Sequence, residues 1–242
     1  MKNFGLLILL ILSQIQLFSQ QRANEINSVP FLLENDNWVD SVYNSLTTNQ
    51  KIGQLFMIAA YSNKDSIHEK DISRLISEYG IGGLIFMQGG PIRQAILTNR
   101  YQAKSCVPLM LAIDGEWGLS MRLDSTMSFP RQMTLGAIEN DSLIYKMGEI
   151  IGKQCRRLGL TINFAPVVDV NNNPGNPVIG MRSFGEDKYR VAKKGIMYMK
   201  GMQSQYLVTT GKHFPGHGDT QTDSHKDLPL INHSKMRLDT LE

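Results

Sequence analysis

From Trp38 onward the chain alternates between amphipathic stretches and short, continuously apolar runs. Trp38, Val42 and Leu46 fall at helical spacing. Thr47, followed three residues later by Gln50, forms a capping-box pair that opens a short helix through Ile52 and Leu55. The apolar run 55–60 predicts a first strand. Ile72, Leu75, Ile76 and Tyr79 then mark a helix that stops at Gly80, a residue suited to the left-handed turn after a helix. A buried-type strand follows over 81–86. Pro91 begins the next helix, carried by Ile92, Ala95 and Ile96. Residues 108–113 predict a strand ending at Asp114, and Asn140 caps a long helix closed by Gly159. A strand over 160–168 ends at Asp169, and a helix over 188–205 leads into a last strand over 207–210.

Continuous apolar strands alternating with amphipathic helices predict a parallel α/β sheet covered by helices. About five strands are expected, each followed by a polar loop. Two architectures satisfy this: an open doubly wound sheet, or a TIM-type (β/α)8 barrel. No glycine-rich phosphate loop follows any strand, which weakens the nucleotide-binding choice. With 242 residues, part of them a leader, the chain is short for eight units, so a C-terminally truncated portion of five to six units is expected.

The first 37 residues differ. Lys2, a mostly apolar run to Leu12 and a small residue at Ser19 describe a secretory signal peptide over 1–20, followed by a polar leader over 21–37. The apolar core is short for a transmembrane helix, so export to the periplasm or beyond is expected, without stable membrane insertion after cleavage. An uncleaved anchor is the alternative. A net charge of +3 without a basic, aromatic-interleaved stripe argues against nucleic acid as a partner. Cys106 and Cys155 are the two cysteines. An exported pair can form a disulfide, but Cys155 lies on the apolar side of a helix with Ile151 and Leu158, which favours a buried free thiol.

The chemistry concentrates in residues 212–225, KHFPGHGDTQTDSH, directly after the last strand. Strand ends are where ligands sit in parallel α/β folds. Adjacent residues cannot form a serine-hydrolase triad, so Asp223-Ser224-His225 reads instead as an Asp–His pair. In an extended segment the two side chains share a face while Ser224 points away. The carboxylate would fix the tautomer of an imidazole, a group that both gives and takes a proton near neutrality. A zinc site from His213, His217 and His225 is a competing reading whose spacing matches no common metal motif. His217 and Asp219, between glycines, read as loop-shaping groups bonded to backbone. Asp114, with Glu116 and Arg122 near it, and Arg182, preceded by Asp169 and Asn171, suit hydrogen bonding to a polyhydroxylated ligand. Local pairs, Arg122 with Asp124 and Arg182 with Glu186, are the plainer alternative.

The 212–225 stretch resembles the signature of glycoside hydrolase family 3, in its β-N-acetylglucosaminidase branch. FAPVVDV, MRSFGED and the IDGE…MRL segment agree in order and spacing, so the resemblance runs from about Trp38 to the end. It implies a (β/α)8 barrel over 38–242, present in part, and a retaining hydrolase that removes terminal β-linked N-acetylglucosamine from glycans such as peptidoglycan fragments. It further implies His225 as acid/base with Asp223 as its partner. Asp114, Arg122, Arg182, Lys212 and His213 would hold the sugar, with no metal or organic cofactor. The family's usual Glu-Gly-Gly-Arg is here Glu116-Trp117-Gly118-Leu119, a departure beside the sugar. Its nucleophile, an aspartate after the seventh strand, falls beyond Glu242; Asp227 and Asp239 do not match its place. A β-glucosidase, a glycosyl phosphorylase or a non-catalytic sugar-binding fragment are the alternatives.

Overall fold

The apolar runs become five short strands of one sheet: β1 (Met57–Tyr61), β2 (Gly83–Gln88), β3 (Met110–Ile113), β4 (Ile162–Asn163) and β5 (Val208–Thr209). The computed structural model describes residues 37–241; the expected signal peptide and nearly all of the leader lie outside the described residues. The strands pair side by side in chain order, all parallel, with Gly83 opposite both Met57 and Met110 and Ile162 opposite Ala112 and Val208. A doubly wound sheet reverses its strand order at a switch point. This one does not. Right-handed crossovers that always step in the same direction put every connecting helix on the same face, the arrangement of a (β/α) barrel wall. The wall is open, with β1 and β5 at its edges.

Helix α1 (Asn37–Ser45) belongs to a first compact unit ending at Leu46, and everything from Thr47 forms a second. In the second unit come α2 (Thr48–Gly53), α3 (Ser66–Tyr79), α4 (Pro91–Gln102), α5 (Gln132–Gly136), α6 (Asp141–Arg157), α7 (Lys188–Gln203) and α8 (Lys235–Leu241). The boundaries follow the sequence signals. Thr47 and Gln50 form the reciprocal capping box, Gly80 ends α3 in the left-handed conformation (φ 61°), Pro91 opens α4, and Asn140 accepts the Ser142 amide at the start of α6. None of the described helices is long and apolar enough to cross a membrane.

Leu84, Phe86, Leu111 and Ile113 of the sheet pack with Ile76, Leu97, Ile144, Ile151, Val191 and Tyr198 of the helices in one buried core. Helices α6 and α7 approach at glycines: a Cβ on Gly201 would lie 2.1 Å from the Tyr145 carbonyl oxygen. That contact lets α7 sit low enough for Tyr198 to reach the loop after β3. Cys155 is buried in the core, where desolvation pushes its thiol up to about 12, and Cys106 is exposed; both are free. The expected disulfide alternative is therefore ruled out.

Residues 160–168 are a strand only at Ile162–Asn163. Beyond these, Ala165 bonds back to the Asn163 carbonyl, and Pro166 brings no amide hydrogen to a ladder. Contact with the β5 side continues through the Ala165 carbonyl, which accepts from the Thr210 amide, and the Pro166 carbonyl, which accepts from the Lys212 amide, with Val167 opposite Lys212.

Candidate active site

The residues singled out in the sequence converge at the carboxyl ends of β3, β4 and β5. Asp114 is the first residue after β3. Its Oδ2 accepts from Arg122 Nη2 at 2.9 Å, and its Oδ1 from Lys212 Nζ at 2.9 Å. Lys212 also lies 2.8 Å from Glu116 Oε1. The Arg182 guanidinium grips Glu116 as a fork, Nη2 to Oε1 at 2.7 Å and Nε to Oε2 at 2.9 Å. Arg182 Nη2 is 3.4 Å from His213 Nε2, and His213 Nδ1 is 2.6 Å from Asp169 Oδ2. The result is one continuous ladder: Arg122, Asp114, Lys212, Glu116, Arg182, His213, Asp169. Three carboxylates face two guanidinium groups, one lysine amine and one imidazole. Such a surface offers both acceptors and donors to a ring of hydroxyl groups.

Several buried groups hold this ladder in place. Asn163, the last residue of β4, spans the loop after β3, accepting from the Gly115 amide at 2.8 Å and donating to its carbonyl at 3.2 Å. The Tyr198 hydroxyl lies 3.2 Å from both the Gly115 and Glu116 carbonyls. Gln132 of α5 grips Val167 through both its amide and its carbonyl, which steadies the chain leading to Asp169. Glu116 is 1% exposed. Burial raises its pKa, but hydrogen bonds and charge from Arg182 and Lys212 outweigh that and hold it at about 2. Glu116 is thus held in its ionised form at the hub.

Two plain alternatives fail here. Arg122 pairs with Asp114 rather than Asp124, and Arg182 with Glu116 rather than Glu186. Glu116 and Asp169 were visible in the sequence only as neighbours of candidates. For Asp169 the usable signal is its place at a strand end, the same that marks Asp114. Asn163, Tyr198 and Gln132 carried no signal, because their partners lie 35 to 83 residues away.

The 212–225 segment divides. Lys212 and His213 belong to the ladder. His217 is buried: its amide donates to Asp169 Oδ1 at 2.8 Å, its Nδ1 meets Thr220 Oγ1, and its Nε2 lies 3.3 Å from Ser224 Oγ. His217 thus shapes the loop, but its ring does so through the side chains of Thr220 and Ser224 rather than through backbone as expected. Asp219 likewise meets side chains, those of His233 and Arg237. The stem 217–220 is sewn to the loop after β4, with Asn176 donating to the His217 carbonyl at 2.6 Å and Asn173 to the Thr220 carbonyl at 3.3 Å.

Asp223 and His225 are brought together, but not by strand alternation. The chain turns at 223–226, closed by the Lys226 amide on the Asp223 carbonyl. In that turn Asp223 Oδ1 accepts from the His225 amide and meets its Nδ1, both at 2.9 Å. The His225 amide and then its ring lower the Asp223 pKa, so the carboxylate stays ionised. With Nδ1 on the carboxylate, Nε2 is the nitrogen left to exchange a proton. The His225 side chain is 81% exposed, and among the described residues no hydrogen bond or ion pair joins it to the ladder. Asp227 bonds its neighbour Leu228, and Asp239 pairs with Lys235 on α8.

A parallel barrel wall with a charge-balanced polar cluster at the carboxyl ends of its strands is the layout of a (β/α)-barrel enzyme domain. Residues 47–242 match the N-terminal domain of glycosyl hydrolase family 3, and the chain belongs to that family. The chain is 36% identical over 219 residues to Beta-hexosaminidase A of Pseudoalteromonas piscicida, a match covering 80% of this chain and 37% of that protein. A β-N-acetylglucosaminidase of the same family from Paenibacillus sp. str. FPU-7 superposes with a TM-score of 0.74 at 40% identity, over 81% of this chain and 38% of that one. A beta-glucoside phosphorylase superposes with a TM-score of 0.76 at 26% identity, over 81% and 35%. The chain spans little more than a third of the length of each of these relatives.

Proposed function

We propose that this chain carries the sugar-binding face and the acid/base of a retaining β-N-acetylhexosaminidase acting on N-acetylglucosamine-containing glycans, peptidoglycan fragments among them. The observation that carries this reading is the single ladder joining Asp114, Arg122, Arg182, Lys212 and His213, beside a stem that bears a hydrogen-bonded Asp223–His225 pair. The names of the two glycosidase relatives support the choice of sugar.

In this mechanism the ladder binds the ring hydroxyls. Each hydroxyl bonds to a carboxylate oxygen or a guanidinium nitrogen already held in place, so little reorganisation is needed on binding. His225, with Nδ1 engaged by Asp223, delivers a proton from Nε2 to the departing glycosidic oxygen. The same nitrogen then takes a proton from the water that completes hydrolysis. Retention needs a nucleophile on the opposite side of the anomeric carbon, a role assigned to no residue here. Export by residues 1–20 belongs to the same proposal, and N-terminal sequencing of the mature protein checks it.

The test is a substrate comparison with the full-length protein. Turnover of an aryl N-acetylglucosaminide is expected to exceed that of the matching glucoside, with no dependence on added phosphate. The likeness to a phosphorylase supports a second reading. A rate that rises with phosphate, with a sugar phosphate as product, would select it and reject hydrolysis.

A further inference from the structure

Residues 221–232 carry the Asp223–His225 pair and project as a flap from the 217–220 stem. Their hydrogen bonds are almost all internal: the His225, Lys226 and Asp227 amides return to Asp223, and the Leu228 amide bonds Asp227. Among the described residues, one hydrogen bond joins the flap to the body, between Ser224 Oγ and His217 Nε2 at 3.3 Å. The stem is the opposite. His217 is 6% exposed, its amide is fixed by Asp169, its carbonyl by Asn176, and its other ring nitrogen by Thr220. A well-anchored imidazole therefore offers its one remaining nitrogen to the serine lying between the two residues of the pair.

We infer that His217 and Ser224 form a latch that positions the flap, making both of them positioning residues for proton transfer by His225. The inference rests on the glycosidase reading of the site. The latched geometry already contains the assembled pair, with Asp223 on His225 Nδ1 at 2.9 Å. It also ties that pair, through the His217 amide, to the carboxylate of Asp169 that holds His213. Ser224 makes the bond to His217, so Asp223 and His225 on either side of it are tied to the stem through their shared neighbour. Without the latch the flap keeps its internal turn but samples a wider range of positions, and the productive one becomes a smaller fraction of the whole.

Ser224→Ala removes the latch oxygen from an exposed position and leaves the core untouched. In the full-length protein, kcat/KM for a phenyl N-acetylglucosaminide, whose leaving group needs a proton, is expected to fall ~5-fold, the size of one neutral hydrogen bond. For the 2,4-dinitrophenyl glycoside, whose leaving group departs unprotonated, it should stay within twofold, a limit set well inside that effect. Inhibition by N-acetylglucosamine should not change. Hydrogen–deuterium exchange at the amides of 223–228 is expected to quicken in the variant. His217→Ala should show the same selectivity, and the double variant should lose no more than either single one. Equal losses on both glycosides, a gain on the phenyl glycoside, or unchanged exchange would overturn the latch. If wild type cleaves neither glycoside, the glycosidase reading fails, while the exchange experiment still decides whether the latch exists.

Discussion

Replacing Glu116 with alanine is expected to destabilise the domain by about 3–5 kcal/mol, the usual cost of leaving the partners of a buried ion pair without their counter-charge. Glu116 is the shared partner of Arg182, which it binds with both oxygens, and of Lys212. Lys212 keeps Asp114 after the change, but Arg182 is left with the Val178 carbonyl and the edge of His213. The depressed pKa gives a second handle. Glu116 ordinarily titrates at 4.5 and here at about 2, a difference equivalent to about 3 kcal/mol in favour of the folded, ionised state. Because the folded pKa lies below the unfolded one, this stabilisation is fully present above about pH 4.5 and is lost as the pH falls toward 2. Urea unfolding of the wild type and of Glu116→Gln, measured from pH 7 down to pH 3, should show a gap that narrows below pH 4.5. A gap that stays constant with pH would mean that the charge of Glu116 contributes nothing to its hold on Arg182.

The second large effect is on catalysis. His225→Ala is expected to lower kcat/KM for an unactivated N-acetylglucosaminide by ~10²–10⁴-fold, the range for loss of a positioned general acid–base. A dinitrophenyl glycoside should lose far less in the first step, because its leaving group needs no proton. Folding should be unaffected, since the ring is largely exposed and outside the core. Asp223→Ala should fall between wild type and His225→Ala, as it leaves the imidazole in place but frees its tautomer and orientation. Equal turnover of wild type and His225→Ala on the unactivated substrate would remove His225 from the chemistry.

The order of strands and helices was legible because each apolar run is bounded by a local signal: Thr47 with Gln50, Gly80, Pro91 and Asn140. Those signals act over three or four residues and need no tertiary context. Strand length was not legible. Residues 160–168 read as nine apolar or neutral positions, but regular pairing holds only at Ile162–Asn163; beyond it the Ala165 amide turns back on Asn163 and Pro166 has no amide hydrogen, while their carbonyls still accept from Thr210 and Lys212. Helix α5 was missed because five residues are too few for a periodicity, and α8 because its apolar positions are isolated among charges. In the site, residue types pointed to the groups of the ladder, whereas their pairing did not follow from the chain. Arg182 finds Glu116 across 66 residues and Lys212 finds Asp114 across 98. Only the sheet, by setting β3, β4 and β5 side by side, makes those distances short. The Asp223–His225 pair was expected for the right residues but the wrong geometry, since a turn rather than an extended segment joins them.

Asp169 serves two masters. One carboxylate oxygen accepts from the ring of His213, which belongs to the ladder, and the other from the amide of His217, which anchors the stem of the flap. On the reading proposed above, the two halves of the reaction, holding the sugar and delivering the proton, therefore share a single rigid acceptor. Disturbing that one carboxylate would therefore loosen His213 and the base of the flap together, whereas a change confined to the flap leaves His213 and its acceptor as they were.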